Sequence, residues 1–127
     1  MALIPLNSFK TKTQLLSSVT TATVYTAPIG VTSIILMAQI SNISTVTQFL
    51  NFSHHRNRPI LADAQGNGAQ PGNVDSFLVR DFAIPPGDAA SVLTGKLIIE
   101  SLDSIRAGAS NTGTLQLVMS VLETANN

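Results

Sequence analysis

The sequence has no cysteine, no tryptophan and a single tyrosine, and charged residues make up only 11% of its 127 residues. Without cysteine the chain can form no disulfide bond, thiolate metal site or cysteine nucleophile. The charged fraction is far below the ~25% of ordinary soluble domains, so Ser, Thr, Asn and Gln must cover much of the surface. A weakly charged surface gives little protection against self-association, which favours a protein that assembles.

Positive and negative side chains balance, with seven of each and a formal net charge of zero. The composition therefore gives no electrostatic basis for binding nucleic acid or an anionic membrane. The longest apolar run, Ile34 to Ala38, is far shorter than the ~20 residues of a membrane-spanning helix. Met1 to Leu6 lack the basic leader and the long apolar segment of a secretory signal. We expect no export, no membrane partner and no nucleic-acid partner.

Alternating apolar and polar residues predict β-strands along the chain, and no segment shows helical periodicity. In the first half we expect strands over Ser8–Leu16, Thr20–Thr26, Val31–Ile40 and Val46–Ser53. The first strand is expected at a sheet edge, with Phe9 and Leu15 on one face and Lys10 and Lys12 on the other, where lysines discourage unwanted pairing. The third is expected to be a central strand, with the fourth as its pairing partner.

In the second half we expect strands over Phe77–Ile84, Lys96–Glu100, Asp103–Ala107 and Thr114–Val121, of which the third is weakly patterned. Strict alternation is expected through the first of them. The sequence from Pro85 to Asp88 predicts a chain reversal, because Pro86 fixes φ at the second turn position and Gly87 accepts positive φ at the third.

These patterns predict an all-β protein: one domain over residues 1–127, folded as an antiparallel, jelly-roll-like β-sandwich of about eight strands. A small closed barrel is the alternative. Between Asn57 and Asn73 the pattern dissolves into Gly, Pro and Gln, which predicts a long surface loop. A loop of that length in a compact domain is usually functional or mobile.

Both histidines and two of the four arginines lie together in His54-His55-Arg56-Asn57-Arg58. As a metal site this cluster is poor, because adjacent side chains on a strand point to opposite faces and no further His or Cys completes a ligand shell. We expect a solvated segment at a strand end. The alternative is contact with a carboxylate of a partner chain, which Arg side chains recognise well.

Two glycine-containing segments resemble functional motifs only superficially. Asp63 to Gly68 has the spacing of the start of a calcium loop, but Val74 occupies the position that requires a bidentate Glu. Gly108 to Gly113 is not a nucleophile elbow, since its second glycine comes one residue late and a strand follows, so we expect a turn there. We therefore predict no catalytic residue, no metal ligand and no cofactor-binding residue, and expect no enzyme.

Several segments together resemble a known class of protein: Val24 to Leu36 with Ala38 to Asn42, then Phe77 to Asp81 with Ile84 to Asp88, Leu93 to Glu100 and Leu115 to Glu123. Their succession is similar to that of small virion proteins of tailed bacteriophages. The residues that carry the resemblance are turn and core residues, so it assigns no functional side chain. The segment from Asn57 to Asn73 departs from the family's more compact pattern.

The resemblance implies a β-sandwich subunit of a phage particle, made in the host cytoplasm and located in the virion. Such a subunit would act as a capsid decoration or cement protein, or as a tail or neck component, through contacts with copies of itself and with other virion proteins. The segment from Ala2 to Leu16 is our candidate docking element. The alternative function is a receptor- or glycan-binding module, which the shortage of Trp and Tyr disfavours.

Overall fold

The computed structural model describes residues 7–57, 61–62, 69–70 and 73–125. Its strands are β1 (Asn7–Leu15), β2 (Ala22–Thr26), β3 (Val31–Asn42), β4 (Gln48–Asn57), β5 (Leu61–Ala62), β6 (Ala69–Gln70), β7 (Asn73–Ile84), β8 (Ala89–Ser91), β9 (Leu97–Ile99), β10 (Ser104–Ala109) and β11 (Leu115–Ala125). Turns and irregular segments connect them, and the described part of the chain contains no helix.

The long strands form two antiparallel sheets. The first sheet has the order β1-β11-β3-β8, with β9 pairing a different part of β3, and the second has the order β2-β10-β4-β7. Among the strands of these two sheets, β4 and β7 are successive and pair with each other, and β8 and β9 pair with different parts of β3. Every other successive pair lies in opposite sheets. If β8 and β9 are taken together as one interrupted strand, this is the eight-stranded order of a jelly roll. The expected antiparallel, jelly-roll-like sandwich is confirmed.

The core lies between the two sheets and comes from the strand alternation of the sequence. In β11 the buried apolar residues are Leu115, Leu117, Met119 and Val121, with partly or fully exposed residues between them. Phe52 on β4 is the largest side chain that is fully buried. The two-residue period puts these apolar side chains on one face of each sheet. Each fully buried Leu, Ile or Phe side chain contributes about 1.5–3 kcal/mol of transfer free energy, which is why the two sheets pack face to face.

The predicted reversal after β7 is confirmed. Gly87 has a φ of 74°, and the backbone N–H of Asp88 donates to the Pro85 carbonyl oxygen at 3.1 Å. A type II turn has this arrangement, with Pro at its second position and positive φ at its third. The turn brings the chain from the second sheet across to β8 in the first.

The segment from Asp103 to Ala107 is more than a weak strand. Ser104 to Ala107 belong to β10, which pairs on one side with β2 and on the other with β4 and is buried along most of its length. Gly108 and Ala109, expected in a turn, continue this strand. Gly108 is required there, because a Cβ at this position would lie only 1.8 Å from the carbonyl oxygen of Thr20.

The expected pairing of the fourth strand with the third is wrong. β4 lies in the second sheet, where it pairs with β10 and β7. Gln48, Leu50 and Phe52 alternate along β4 and point into the core. Alternation identifies the buried face of a strand but not the sheet that carries it, and in this topology the chain crosses to the opposite sheet after β3.

Strict alternation through Phe77 to Ile84 is also wrong. Along β4, Leu50, Phe52 and Ser53 are paired with Phe82, Val79 and Phe77, so β7 contains one extra residue in each interval. These are β-bulges, which twist a strand and interrupt its ladder. At one of them Asp81 has a φ of 50°, and its N–H donates to Asn51 Oδ1 at 2.9 Å.

The loop expected from Asn57 to Asn73 has the bounds that the strands leave for it, since β4 ends at Asn57 and β7 begins at Asn73. Within this segment β5 pairs with β6 through Leu61↔Gln70 and Ala62↔Ala69, which the sequence did not predict. Two short segments on either side of a glycine-rich stretch can pair across it, which composition alone does not show. The rejected calcium motif at Asp63 to Gly68 and the first residues of the docking segment, Ala2 to Leu6, lie outside the described residues.

Candidate functional site

An apolar row crosses the outer surface of the first sheet. Phe9 on β1 is paired with Leu122 on β11, Leu122 with Ile34 on β3, and Ile34 with Ile98 on β9. Residues paired directly opposite lie on the same face of a sheet. The two end residues protrude, with Phe9 74% and Ile98 60% exposed, whereas Leu122 and Ile34 are half-buried. We call these four residues the Phe9 row.

The outward positions within the strands around the Phe9 row carry no charge, although Lys96 and Glu100, two residues before and after Ile98, are exposed just beyond the ends of β9. Within the described strands β1, β3, β9 and β11, the registers place sixteen residues on this surface: Asn7, Phe9, Thr11, Thr13, Leu15, Thr32, Ile34, Met37, Gln39, Ser41, Ile98, Gln116, Val118, Ser120, Leu122 and Thr124. None of these is Asp, Glu, Lys or Arg. We call this surface the uncharged face. Depletion of charge together with exposed aromatic and aliphatic residues is typical of the centre of a protein interface.

The lysines of β1 lie on the opposite side of the strand from Phe9, as the sequence predicted, and the structure shows that this is the inner side. β1 forms an edge of the first sheet and pairs with β11. Lys10 Nζ lies 2.9 Å from the Glu123 carboxylate, and Lys12 is half-buried. Charged residues that point inward at an edge discourage another strand from adding to the sheet.

A polar cluster at this end of the sandwich connects the two sheets. The Tyr25 hydroxyl of β2 donates to Glu123 Oε2 at 2.5 Å and lies 2.6 Å from Ser33 Oγ. Burial by itself raises the pKa of Glu123, but hydrogen bonds from Tyr25 and Lys10 and the charge of Lys10 outweigh it, so this pKa lies below its ordinary value. Burial, and then the hydrogen bond to Glu123, raise the pKa of Tyr25. Both groups therefore favour the charge state that keeps the cluster intact.

Four of the five phenylalanines lie at the surface, and only Phe52 is buried. Phe9 belongs to the uncharged face, whereas Phe49, Phe77 and Phe82 are exposed on β4 and β7 of the second sheet. The Arg80 guanidinium lies 5.5 Å from the centre of the Phe77 ring. Exposed aromatic side chains are enriched where proteins bind one another. The sequence showed the low aromatic content but not this placement.

The His54–Arg58 cluster is divided by the strand. His54 is paired with the core residue Ile105 and lies on the inner face, where its Nε2 is 3.5 Å from Oδ2 of the buried Asp103. His55 lies on the outer face, and its Nδ1 is 2.7 Å from Asp75 Oδ1. The expectation of a solvated strand end therefore does not hold for the two histidines, which face carboxylates of their own chain, whereas Arg56 and Asn57 are exposed at the end of β4. Arg58 lies outside the described residues.

Asp75 also faces an arginine. Arg106 Nη1 lies 3.8 Å from Asp75 Oδ2, so the outer surface of the second sheet carries a polar cluster formed by His55, Asp75 and Arg106. This surface is therefore chemically different from the uncharged face on the opposite side of the sandwich.

The described residues form no group of three or more His, Cys, Asp and Glu that could hold a metal ion. A shallow groove of about 310 Å³ follows β1 and β11 at Thr13–Leu15 and Gln116–Val118. Across the described part of the chain, no helix has the length and apolar character to span a bilayer. The feature with the strongest functional signature is therefore the uncharged face.

Comparisons with known proteins show similarity of fold only. No family model matches the chain, and no curated protein sequence matches it. A chain from Bacillus endospore appendages, described as disulfide-linked pili, is 7% identical with a TM-score of 0.45, over 100% of this chain and 98% of that chain. A chain of infectious bursal disease virus, Gx strain, is 14% identical with a TM-score of 0.49, over 98% of this chain and 32% of that chain. A chain of the Gt strain is 11% identical with a TM-score of 0.45, over 94% and 31%. Likenesses at this level do not indicate a function.

Proposed function

We propose that this protein is a non-enzymatic structural subunit of a tailed-phage virion. It acts as a capsid decoration or cement protein, or as a tail component, by contacts with copies of itself and with other virion proteins. It uses no cofactor and binds neither nucleic acid nor membrane. The proposal rests on the sequence resemblance and on the surface of the molecule, and the uncharged face is the observation that carries it.

An uncharged face with exposed apolar side chains is unfavourable for a protein that stays monomeric in water. It is favourable for a subunit that buries this face against a partner. Phe9 and Ile98 expose most of their apolar surface to water, and burying apolar surface releases about 25 cal/mol per Å². Around them lie Thr, Ser, Asn and Gln side chains, which can be desolvated without the large penalty of burying an ion. An interface can therefore form here with little electrostatic penalty.

The exposed phenylalanines of the second sheet support more than one contact per subunit. Phe49 and Phe77 are exposed on the outer side of β4 and β7, whereas Phe9 lies on the outer side of the first sheet. The two surfaces lie on opposite sides of the sandwich. A subunit with apolar groups on both sides can contact a copy of itself through one side and another protein through the other.

A glycan- or receptor-binding module is less well supported. The single tyrosine, Tyr25, is hydrogen-bonded to Ser33 and Glu123 between the sheets and is not free to stack on a sugar. The described grooves are shallow, and the exposed phenylalanines are spread over two sides of the molecule instead of lining one pocket.

Light scattering on the purified protein tests the proposal, together with mass spectrometry of purified virions. We expect a dimer, a trimer or a larger assembly in solution and many copies per particle. A protein that stays monomeric at high concentration and shows no affinity for capsid or tail proteins would contradict the proposal.

A further inference from the structure

We propose that the uncharged face binds the same face of a second copy of this chain, so that two subunits pack sheet against sheet about a two-fold axis. This inference rests on the proposed structural function and deepens it by naming the contact and its occupant. It assigns the Phe9 row to the centre of a homotypic interface, with association through sheet faces and not through strand edges.

The long sheet edges are poorly suited to pairing with another chain. At the β1 edge, Lys10 and Lys12 lie on the inner side of the strand, and Lys10 is held by Glu123. At the β7 edge two bulges interrupt the ladder, and Asp81 takes a positive φ. Inward charges and bulges are two of the devices by which edge strands avoid pairing with one another. The remaining large surface of the first sheet is its outer face.

Charge identifies a second copy as the occupant. When a surface meets its own copy across a two-fold axis, every charge near the axis is brought close to an identical charge, so a charged face repels itself. The uncharged face has no such group among its sixteen outward strand positions. The outer surface of the second sheet carries Arg106, Asp75 and Arg80 and is better suited to a partner with its own complementary charges.

The size of the face is sufficient for this contact. Strands about 4.8 Å apart, with about 3.3 Å per residue, give the face a flat area on the order of 500 Å². Projecting side chains raise its accessible area toward the ~800 Å² that each partner contributes to a standard interface. The protruding Phe9 and Ile98 lie at the two ends of one row, and a two-fold rotation about the centre of that row brings the Phe9 end of each subunit over the Ile98 end of the other. A two-fold contact of this kind is closed and does not continue into a fibre.

The absence of cysteine allows a direct test by cross-linking. Ser120 lies near the centre of the uncharged face, opposite Met37 and Thr11, and Thr23 lies on β2 of the second sheet and is exposed. We expect Ser120→Cys to give a covalent dimer on reaction with a short thiol-specific cross-linker at dilute concentration. Thr23→Cys, the control, should give little dimer.

A matched pair of isoleucines tests the energetics. Ile98 in the Phe9 row is 60% exposed, and Ile29 in the turn before β3 is 80% exposed. Because both side chains are largely in water, neither substitution by Ser should prevent folding, which circular dichroism checks. We expect Ile98→Ser to weaken self-association at least tenfold in sedimentation equilibrium, and Ile29→Ser to change it less than twofold.

The outcomes distinguish this inference from the function on which it rests. If the protein is oligomeric but both isoleucine variants associate like wild type, the assigned face is wrong and the structural function stands. The same conclusion follows if Ser120→Cys cross-links only when mixed with Thr23→Cys, since that result indicates head-to-tail packing. A wild-type protein that is strictly monomeric contradicts the inference and the proposed function together.

Discussion

The hydroxyl of Tyr25 donates a hydrogen bond of 2.5 Å to the carboxylate of Glu123. This bond joins β11 of the first sheet to β2, an edge strand of the second sheet. Glu123 is also paired with Lys10 of β1. One buried carboxylate thus fixes three strands from two sheets. Lys10, Tyr25 and Glu123 are separated widely in the sequence, so no local motif predicts the cluster.

Removing the hydroxyl from Tyr25 should destabilise the fold. Tyr25→Phe keeps the ring but deprives the Glu123 carboxylate of a donor, and a buried group left without its partner costs about 1–3 kcal/mol of unfolding free energy. Urea denaturation measures the loss. Ser33→Ala serves as a control, because it removes a hydroxyl from the same cluster without taking a donor from the carboxylate, and should cost less. Equal stability of Tyr25→Phe and wild type would contradict the role of this bond.

Tyr25 should ionise only at strongly alkaline pH. Burial and the hydrogen bond to Glu123 raise its pKa above the ordinary value of 10.0, so the neutral form stabilises the fold at lower pH, and this stability is lost as the pH rises through the pKa of the folded state. Because the chain has one tyrosine, tyrosinate absorbance reports this residue alone. Glu123→Gln should move the titration midpoint toward the ordinary value. A wild-type midpoint near 10 would refute the geometry of the cluster.

Stability should also fall in acid. The pKa of Glu123 is held below its ordinary value of 4.5, so its ionised form contributes stability at any pH above that value, and the contribution is lost as the pH falls through the pKa of the folded state. We expect the melting temperature to decrease below about pH 4.5. Glu123→Gln should be less stable at neutral pH and show a weaker acid dependence. The same slope in variant and wild type would assign the acid sensitivity to other carboxylates.

The sequence predicted the fold class and most strands because a sandwich of this kind depends on local alternation. The sequence predicted Phe9 and Leu15 on one face of the first strand and Lys10 and Lys12 on the other, and the structure confirms that separation. The turn at Gly87 was also predictable, since only a few residue types tolerate its backbone conformation. These features depend on neighbours in the chain, which the sequence shows directly.

Features that depend on distant residues were not predictable. The bulges of β7 are visible only in its pairing with β4. The contact between Asp75 and His55 likewise requires β4 to continue past His55 alongside β7. The Phe9 row needs four strands in a defined register, so the sequence gives an exposed Phe9 but not its contact with Leu122. The described part of the candidate docking segment, Ala2 to Leu16, forms β1 and pairs with β11, a partner strand about a hundred residues away that the sequence could not identify.

His54 and His55 should hold no structural metal. The two side chains lie on opposite faces of β4, and each faces a single carboxylate, that of Asp103 or of Asp75. A zinc site requires about four ligands converging on one point. Elemental analysis after dialysis against a chelator tests this prediction. Stoichiometric zinc or nickel in the dialysed protein would overturn it, and its loss from His54→Ala would locate the site.

Gly87→Val should destabilise the turn after β7. The φ of 74° at Gly87 is disfavoured for a β-branched residue, and holding one there costs on the order of 1–3 kcal/mol. Gly95→Val is the matched control, because no atom lies within 4 Å of its Cβ position and its φ is not in the positive range. An unchanged melting temperature for Gly87→Val would contradict the turn assignment.

Gly108→Ala should have a larger effect than the change at Gly87, because it is opposed by packing instead of backbone torsion. The new methyl group would lie 1.8 Å from the Thr20 carbonyl oxygen and 2.5 Å from its carbon. Both atoms belong to the backbone, so no side-chain rotation can relieve the overlap. The segment before β2 would have to move away from β10, which breaks the hydrogen bond from the Ala109 N–H to the Ser18 carbonyl oxygen. Overpacking of this kind costs at least about 1–3 kcal/mol, and we expect the variant to be poorly folded or to unfold at much lower urea concentration.

Gly95→Ala is the control for Gly108→Ala. Its new methyl group meets no atom within 4 Å, so this variant should be close to wild type. If the two alanine variants are equally stable, the close approach of Thr20 to β10 is wrong.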